Sequence, residues 1–381
     1  MPTFQELEEL LKEHNGEFLV FDNERPRLVI LDPQKYDNFG LADSSSGKIL
    51  VTGGAGYIGS HVVLALQKLG SSVVVIDDLS TGSMESIGGK LVVGSLADTN
   101  LLKEIFSRNQ IEVVLHFAGS IIVEESVLNP SKYFQNNVVN GLNLLNCMVQ
   151  FGVKKLVYSS SAAVYGNPQT VPIREEHPCQ PTNPYGETKL IFEKILNWYQ
   201  QSHGIASVIL RYFNAAGADP DGKLGENHPV ETHLIPRILR VASRQEEVLK
   251  IFGTDYPTAD GTAVRDYIHV ADLADAHILA LNKLEQEAGC FTYNVGTGVG
   301  HSVKEVVDAA MELTGKMVMI DPSPRRPGDP AVLVADADRI KHELGFRPKY
   351  SDLSTIIAHA WNWHCKLHNI EAKSPQVLEK G

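Results

Sequence analysis

The chain has 381 residues, of which 43% are hydrophobic, and its formal net charge at pH 7 is −12. This length is typical of about two domains, and the apolar content supports a substantial core. The acidic balance argues against general binding to nucleic acids or to anionic membranes, although a local basic pocket could still hold an anionic ligand.

The cysteines and the apolar runs bear on the cellular compartment. The four cysteines (Cys147, Cys179, Cys290 and Cys365) are scattered without metal-ligand spacing. We therefore expect neither disulfides nor a bound metal. No segment resembles a signal peptide, and no apolar run has the length of a membrane span. The sequence thus predicts a cytoplasmic protein.

The first 47 residues precede the regular part of the chain. Residues 4–11 predict a short amphipathic helix, residues 17–21 and 27–31 predict a hairpin, and residues 41–47 predict a flexible link. We interpret this N-terminal extension as a small appended element that packs on the main body or on another subunit. That interpretation is preferred over an independent function, and the role of the extension stays open.

Residues 48–78 contain a buried-strand run, a glycine turn, an apolar helical pattern and a second buried strand. Gly53 permits a tight turn off the strand, Gly56 lets backbone N–H groups approach a pyrophosphate, and Gly59 lets the helix pack close to the sheet. The positive end of the helix dipole would face the phosphates. This order of elements predicts a dinucleotide-binding unit rather than a simple glycine turn.

Two acidic residues end the second strand of this unit. Asp77 stands near the expected distance from the glycines and can accept hydrogen bonds from the adenosine ribose hydroxyls. A 2′-phosphate would meet this carboxylate and that of Asp78. The sequence therefore favours NAD over NADP.

Strands and helices continue to alternate after this unit. Strands are predicted at residues 91–93, 113–117, 155–159 and 207–212, and helices at residues 100–108, 133–151 and 185–202. This alternation predicts an α/β fold with a doubly wound parallel Rossmann sheet. Ligands bind outside the carboxyl ends of such strands, where residues 117–119, 159–161 and 213–214 fall.

The regularity weakens after residue 214. Loops rich in Gly, Pro, Asp and His alternate with helices predicted at residues 234–243, 270–284, 302–313 and 354–367. We predict four regions: the extension (1–47), the NAD-binding domain (48–214), a smaller α/β domain that mainly binds substrate and covers the carboxyl edge of the sheet (215–370), and a C-terminal tail (371–381).

Tyr185 and Lys189 stand one helical turn apart on the same face of a predicted helix. A tyrosinate base at neutral pH requires the phenol pKa to fall from about 10 to about 7, which corresponds to about 4 kcal/mol. A nearby ammonium and a positive nicotinamide ring could both contribute to that change. Ser161, at the end of an upstream strand, could bridge Tyr185 and a substrate hydroxyl. The spacing alone is weak evidence, because a packed tyrosine and a solvated lysine would look the same.

Together with the glycine turn, Ser161, Tyr185 and Lys189 resemble the signature of short-chain dehydrogenase/reductase proteins, in particular their extended branch. Longer motifs narrow this resemblance to the UDP-glucose 4-epimerases. These are GGAGYIGSH at 53–61, HFAG at 116–119, SSSAAVYG at 159–166, LRYFN at 210–214, GTAVRDYIHV at 261–270, YNVG at 293–296 and RRPGD at 325–329. The similarity runs from residue 48 to about residue 367.

The resemblance implies a reaction and a role for each catalytic residue. Tyr185 would take the proton of the sugar 4-hydroxyl while the C4 hydride passes to NAD⁺, and after the 4-keto sugar turns over, both would return to the opposite face. Ser161 would orient the hydroxyl, and Lys189 would tune Tyr185 and hold the nicotinamide ribose. NAD would stay bound through each turnover. The implied activity is the interconversion of UDP-glucose and UDP-galactose.

The resemblance also implies two sets of contacts. The cofactor would be lined by Gly53, Gly56, Tyr57, Ile58, Gly59, Asp77, Asp78, Ser95, Leu96, Phe117, Ala118, Gly119, Asn136, Ser161, Tyr185, Lys189 and Phe213. The UDP-sugar would be lined by Ser161, Tyr185, Asn214, His233, Leu234, Phe252, Arg265, Tyr267, Arg326, Asp329 and Leu333. Within this second set, Arg265 and Arg326 would neutralise the diphosphate.

Three positions depart from the family pattern. Ile121 stands where a lysine is common, and Ser95 stands where an acid usually contacts the adenine. Leu333 stands where either a bulky tyrosine or a smaller residue decides whether an N-acetyl group fits, so we hypothesise that UDP-N-acetylglucosamine is also accepted.

Other functions remain open at this stage. A 4,6-dehydratase carries an acidic pair after the active-site Ser/Thr, but Ala162 and Ala163 stand there, which argues against that chemistry. Epimerisation of UDP-xylose or UDP-arabinose stays an alternative, as does a non-catalytic nucleotide-sensing protein on the same fold. The family is commonly dimeric through a four-helix contact, so we expect a homodimer that uses the helices predicted at residues 139–151 and 185–202.

Overall fold

Six stretches of the chain are described by the computed structural model: residues 17–22, 25–31, 47–87, 90–228, 230–326 and 328–370. The chain divides into two units, Met1–Gly47 and Lys48–Gly381. In the first unit, β1 (Glu17–Asp22) and β2 (Arg25–Leu31) pair antiparallel, which confirms the predicted hairpin. The helix predicted at residues 4–11, the linker residues 41–46 and the tail 371–381 lie outside the described residues.

The second unit contains the remaining elements. Its strands are β3 (Lys48–Thr52), β4 (Val73–Asp77), β5 (Lys90–Val93), β6 (Ile111–His116), β7 (Lys155–Ser161), β8 (Ala206–Tyr212), β9 (Asn214–Ala216), β10 (Leu249–Phe252), β11 (Val264–His269), β12 (Cys290–Val295), β13 (Gly300–Ser302), β14 (Ile320–Ser323) and β15 (Val332–Leu333). Its α-helices are α1 (Tyr57–Lys68), α2 (Thr99–Arg108), α3 (Val123–Leu128), α4 (Pro130–Phe134), α5 (Asn140–Phe151), α6 (Pro184–His203), α7 (Leu234–Ala242), α8 (Val270–Gln286), α9 (Val303–Thr314), α10 (Asp338–Glu343) and α11 (Leu353–Leu367). Short 3₁₀ turns span Met84–Ser86 and Ala162–Tyr165, and a π turn spans Gln135–Val139.

Seven parallel strands form the central sheet in the order β12-β8-β7-β6-β3-β4-β5. Neighbouring residues of a strand point to opposite faces, so both faces need apolar cover. Val51 packs with the apolar sides of α1 and α8, whereas Leu50 packs with α2, α5 and α6. This arrangement confirms the predicted α/β class and the parallel sheet.

The order of the strands locates a crevice. The chain runs outward from β3 in one direction through β4 and β5, and in the other through β6, β7 and β8. The carboxyl ends of β3 and β6 therefore flank the point where the strand order reverses, which is where such sheets bind ligands.

A smaller layer follows β8. There β11 pairs with β9, β13 and β15, while β10 pairs with β14. Helices α7, α9 and α11 share a second apolar core. The chain nevertheless returns to the large sheet, because α8 packs on it and β12 forms its outer strand. The domain boundary at residue 214 stays a prediction. Among the described residues, no helix combines the length and apolar content that crossing a membrane requires.

Candidate active site

The glycine turn brings β3, β6 and α1 into close backbone contact. Gly53 has φ +71°, and a Cβ there would lie 2.5 Å from Ala118 N. A Cβ on Gly59 would lie 2.3 Å from Gly53 O. Only glycine fits at these two positions, because backbone atoms cannot move aside as the end of a side chain can.

Gly56 has more space for a Cβ than Gly53 and Gly59 have. The nearest atom that a Cβ there would meet is Gly53 O at 3.4 Å, an ordinary contact. Gly56 is also the N-cap of α1, and within the described chain no side chain caps that end. The first N–H groups of a helix need acceptors, and an anion is one that suits them. The turn therefore fits the pyrophosphate of NAD, which would contact the backbone of residues 56–59.

Asp77, at the end of β4, is hydrogen-bonded to the backbone of this turn. Its side chain is buried and accepts hydrogen bonds from Ala55 N (2.9 Å) and Leu79 N (2.9 Å). Burial raises the pKa of the Asp77 carboxyl, and the bonds from these two N–H groups partly offset that effect. Asp78 is exposed and accepts from Ser80 N (3.0 Å). Asp77 thus lies at the turn where the sequence places it, and its contact with the adenosine ribose stays a prediction.

Ser161, Tyr185 and Lys189 are brought together by β7 and α6. Asn183 caps α6 by accepting from Gly186 N (2.9 Å), and this cap positions Tyr185 in the first turn. Lys189 is buried, and its ammonium donates to Ser159 O (2.7 Å) while lying 5.9 Å from the centroid of the Tyr185 ring. The three side chains therefore surround the carboxyl end of β7.

The electrostatics of this group refine the expectation from the sequence. Burial raises the pKa of Tyr185, and its hydrogen bond with Ser161 partly offsets that rise. Burial lowers the pKa of Lys189 to about 8, and the nearby Glu193 carboxylate acts in the opposite direction. The residues of the chain therefore hold Tyr185 as a neutral phenol at neutral pH, so a tyrosinate base needs a further positive charge beside it.

A π turn interrupts the helix that the sequence predicted as continuous over residues 133–151. Asn137 lies within this turn: its Oδ1 accepts from Ser120 N (2.7 Å), and its Nδ2 donates to Ser120 O (3.0 Å) and Thr188 Oγ1 (3.0 Å). These bonds tie the segment after β6 to α6. Single π turns often occur at functional sites, where they redirect side chains. Neighbouring Asn136 donates to Ser120 Oγ (3.0 Å), so this predicted cofactor contact lies at the same place.

A buried charge pair lies behind Ser161 and was missed from the sequence. Arg211 donates to both carboxylate oxygens of Glu193 (3.0 and 2.6 Å), and Ser160 Oγ donates to the same carboxylate (2.5 Å). Tyr165 joins through its hydroxyl, which accepts from Arg211 (2.9 Å). Two signals were available: Arg211 interrupts an apolar strand, and Glu193 stands four residues after Lys189. Such a pair fixes β7 and α6 relative to each other.

Several of the predicted sugar and diphosphate contacts lie on β11, on the strands that pair with it, or beside them. Tyr267 is in register with Asn214, and Arg265 is in register with Leu333. Arg265 also forms an ion pair with Asp329. The structure therefore brings these five predicted residues together, although they come from three separate stretches of the chain.

Arg326 forms a second part of this surface. Its guanidinium lies 4.1 Å from the centroid of the Phe252 ring and pairs with Glu124 (2.9 Å). The segment before α6 touches the same turn, because Thr182 Oγ1 donates to Gly328 O (3.2 Å). The turn that carries Arg326 is thereby linked to the segment that leads into Tyr185.

The remaining predicted contacts lie around the sheet edge or at the start of α7. Tyr57 donates to Gly217 O (2.8 Å), Ser95 Oγ accepts from Ala97 N (3.2 Å), and Leu96 and Phe213 are buried. Ile58 follows β3 in the first turn of α1, and Phe117 and Gly119 follow β6. His233 and Leu234 stand at the start of α7. The residue roles stay predictions, and what the structure adds is their placement.

Comparison with known proteins agrees with this architecture. The sequence profile of the NAD-dependent epimerase/dehydratase family matches residues 49–296. The chain belongs to this family. A UDP-glucose 4-epimerase of Halalkalibacterium halodurans is 49% identical over 317 residues, which cover 83% of this chain and 95% of the relative.

Two solved structures are also similar to this member of the family. The UDP-glucose 4-epimerase of Brucella ovis in complex with NAD has a TM-score of 0.81 and 45% identity, covering 83% of this chain and 98% of its own. The UDP-Glc/GlcNAc 4-epimerase of Campylobacter jejuni has a TM-score of 0.74 and 42% identity, covering 84% of this chain and 100% of its own. The similarity thus spans both the central sheet and the smaller layer that follows β8, and NAD is the cofactor of the family.

Proposed function

We propose that the protein is an NAD-dependent UDP-glucose 4-epimerase, which interconverts UDP-glucose and UDP-galactose through a transient 4-keto sugar. The observation that carries this proposal is the convergence of Ser161, Tyr185 and Lys189 at the carboxyl edge of the sheet that also bears the glycine turn. The relatives with which the chain shares nearly half of its residues carry that name.

Tyr185 is the group that moves a proton in this reaction. When bound, NAD supplies the hydride acceptor and donor for C4 and a positive ring charge that favours the tyrosinate. Tyr185 takes the proton of the 4-hydroxyl and later returns it, while Ser161 holds that hydroxyl in line. Lys189 contributes its positive charge and is itself held by Ser159 O (2.7 Å). General acid–base transfer of this kind contributes about 10²- to 10⁴-fold to a rate.

The two arginines serve the diphosphate of the substrate. Arg265 and Arg326 both have carboxylate partners, Asp329 and Glu124 respectively. A diphosphate offers stronger acceptors than one carboxylate does, so it can compete for these guanidinium groups. Asn214, Tyr267 and Phe252 then contact the nucleotide or the sugar.

The range of sugars depends on Leu333. This residue is in register with Arg265 and packs against the apolar cluster that includes Tyr165 and Phe213. Leucine leaves more room than tyrosine would, which supports the acceptance of UDP-N-acetylhexosamines. Leu333→Tyr should abolish turnover of UDP-N-acetylglucosamine and retain that of UDP-glucose. A wild-type enzyme that turns over UDP-glucose but not the N-acetyl sugar would refute this part.

The protein acts in the cytoplasm as a homodimer. The exposed apolar side chains of Trp198 (68%) on α6 and Leu128 (86%) on α3 support a subunit contact that involves α6. Aromatic side chains such as tryptophan are enriched in protein interfaces relative to the rest of the surface. Sedimentation of the purified chain would test the dimer, and Trp198→Glu should shift it to monomer.

The function itself is tested by incubating purified protein with UDP-galactose, without added NAD, and separating the UDP-sugars. We expect UDP-glucose to appear. Tyr185→Phe should lower the rate by about 10³-fold, since it removes the proton-transferring hydroxyl. The matched control is Tyr199→Phe on the same helix, whose hydroxyl bonds only Asn146 among the described contacts (2.7 Å) and should leave the rate unchanged.

Two outcomes would contradict the proposal. If no product forms even with NAD supplied, UDP-glucose is not the substrate, and UDP-xylose, UDP-arabinose and the N-acetyl sugars become the next trials. If the purified protein neither carries NAD nor binds it, the non-catalytic nucleotide-sensing function replaces the enzyme.

A further inference from the structure

Four potential metal ligands converge in the loop that leads into α7. Glu226, His228, Glu231 and His233 each offer one ligand atom, and these four atoms all lie within 4.8 Å of one another. We name this group the loop cluster. The expectation of no bound metal rested on the cysteines alone and did not include these histidines and glutamates.

The side-chain contacts within the loop cluster are between imidazole and carboxylate groups, and His233 N also donates to Glu231 Oε1 (2.8 Å). His228 Nδ1 lies 3.2 Å from Glu226 Oε1 and 3.5 Å from Glu231 Oε2. His233 Nδ1 lies 3.9 Å from Glu231 Oε1 and also contacts Glu226 Oε1. In both imidazoles, the nitrogen that faces the two carboxylates is Nδ1. The four potential ligand atoms therefore surround a common point.

The charge of the loop cluster requires compensation. The side chains of Glu226 and Glu231 are only 5% and 2% exposed. Within the described part of the chain, no lysine or arginine pairs with either of them, and their ion-pair partners are the two histidines. Two buried carboxylates are strongly unfavourable unless a positive charge balances them. A divalent cation held by two neutral imidazoles and two carboxylates would leave the site neutral.

We propose that the loop cluster binds one divalent transition-metal ion, with Zn²⁺ as the ion whose chemistry fits it best. Two histidines and two carboxylates make a four-ligand set of nitrogen and oxygen donors, which suits tetrahedral Zn²⁺. Mixed imidazole and carboxylate ligands also disfavour Ca²⁺ and Mg²⁺, which prefer oxygen donors alone. Four protein ligands fill the coordination shell, so the ion is structural and takes no part in the hydride or proton transfers.

The position of the loop cluster shows what such an ion would organise. The ring of His228 lies edge-on to Tyr57, with centroids 6.3 Å apart, and Tyr57 begins α1 at the glycine turn. His233 is the N-cap of α7, and Glu226 O accepts from Trp363 Nε1 (3.1 Å) on α11. The ion would therefore fix the loop between the start of α1 and the start of α7.

Metal content of the full-length protein tests the proposal directly. Purified protein, with any affinity tag removed, is stripped with a chelator, loaded with Zn²⁺ and dialysed, and the bound metal is measured by mass spectrometry. We expect about one Zn²⁺ per chain, and a higher thermal midpoint after loading, because a ligand that binds only the folded loop stabilises it. Loading with Co²⁺ should give the intense visible absorption of a tetrahedral site.

Variants assign the metal to these side chains. Glu231→Gln and His228→Gln should each weaken metal binding at least tenfold and remove the thermal shift. The matched control is His301→Gln, because His301 lies 4.0 Å from the Glu305 carboxylate outside the loop cluster and should leave both readouts unchanged.

The stripped and loaded wild-type protein decides the question even if a variant fails to fold. A loaded protein that retains no metal, with a thermal midpoint that the chelator leaves unchanged, would overturn the proposal. Two protonated histidines would then balance the two carboxylates. Equal metal content in the wild type and in Glu231→Gln would likewise place the metal elsewhere.

Discussion

The dinucleotide side (residues 48–214) and the substrate side (residues 215–370) both have an apolar core, but the substrate side depends in addition on a buried carboxylate that accepts several hydrogen bonds at once. On the dinucleotide side, the sheet is held by apolar side chains such as Leu50, Val51 and Val114, which are fully buried between helices. On the substrate side, a buried carboxylate organises the loops. Asp266 accepts from Thr297 N (2.8 Å), Thr297 Oγ1 (2.7 Å), Gly298 N (3.0 Å) and Ala335 N (3.2 Å).

A second carboxylate makes similar bonds between the two sides, because Asp272 lies in the first turn of α8, which packs on the large sheet, and its partners lead into α11. Asp272, which is fully buried, accepts from Lys349 N (2.8 Å), Tyr350 N (2.9 Å) and Ser351 Oγ (2.5 Å). Apolar packing distributes its stabilisation over many side chains, whereas a hydrogen-bonding hub concentrates it in one. We therefore expect single substitutions to damage the substrate side more selectively than the dinucleotide side.

The largest effect on stability should come from removing a hub. Asp266→Ala leaves three backbone N–H groups without their acceptor, each at a cost of about 1–3 kcal/mol before relaxation and water entry. The Thr297 hydroxyl keeps Val299 O as a second acceptor (3.2 Å). We expect the free energy of unfolding to fall by about 4 kcal/mol, measured by urea denaturation. UDP binding should be lost before NAD binding, because the residues around Asp266 belong to the substrate side.

The matched control for this prediction is Asp308→Ala, since Asp308 is exposed on α9. Asp266→Asn, which keeps one acceptor oxygen, should fall between the two. A loss below about 1 kcal/mol for Asp266→Ala would mean that the substrate side does not depend on this hub, and the contrast between the two sides would fail.

The next effect concerns the glycine turn on the dinucleotide side. Gly56→Ala meets nothing closer than 3.4 Å within the chain, so its thermal midpoint should stay near that of the wild type. The added methyl group would stand where the pyrophosphate must approach, and NAD affinity should fall about 100-fold, or about 3 kcal/mol. Isothermal titration with NAD measures this. Gly59→Ala should instead lower stability itself, because its Cβ would lie 2.3 Å from Gly53 O.

These two variants separate a glycine needed by the fold from a glycine needed by the ligand. If Gly56→Ala unfolds while Gly59→Ala does not, the assignment of roles within the turn is reversed. If Gly56→Ala retains full affinity for NAD, the cofactor does not lie against this backbone.

How much could be predicted from the sequence depends on whether a feature is local in the chain or joins distant residues. The glycine turn, Asp77 and the Tyr185–Lys189 pair are encoded in short stretches, because strand runs, turns and helical periodicity are local patterns. Helix and strand bounds there differ from the predictions by about one or two residues, as expected from fraying and alternative caps. Local patterns therefore suffice to infer the fold, whereas the candidate catalytic residues also required the resemblance to a known family.

The rest depends on pairs that are far apart in the chain. Asp266 and Ala335 are separated by 69 residues, and Asn137 reaches Thr188 across 51. No local pattern predicts which backbone N–H a buried carboxylate will accept. For the same reason, the interruption of the predicted helix 133–151 and the pairing of Glu193 with Arg211 required three-dimensional information.

The smallest predicted effect is a pH dependence of the free energy of unfolding that arises from His116 on the dinucleotide side. His116, at the end of β6, is buried, and its Nδ1 lies 2.7 Å from Thr52 Oγ1. Burial, assisted by the charge of Lys189, lowers the pKa of His116 to about 3. An unfolded histidine titrates near 6.5, so between these values the unfolded chain binds a proton that the folded chain excludes. The contribution of His116 is thus complete above pH 6.5 and is lost as the pH falls towards 3.

From pH 7.5 to pH 5.5, this one residue should lower the free energy of unfolding by about 1.4 kcal/mol. His116→Gln removes the titrating group, so the decrease between those two pH values should be smaller by that amount, even if the variant is less stable at both. Thr52→Val is the control, because it removes the hydrogen-bonding partner and leaves the imidazole buried, and it should keep the full decrease. Equal decreases in the wild type and in His116→Gln would show that His116 is reached by protons in the folded state. Water would then reach the His116 imidazole at a place on the dinucleotide side from which the surrounding apolar packing implies that water is excluded.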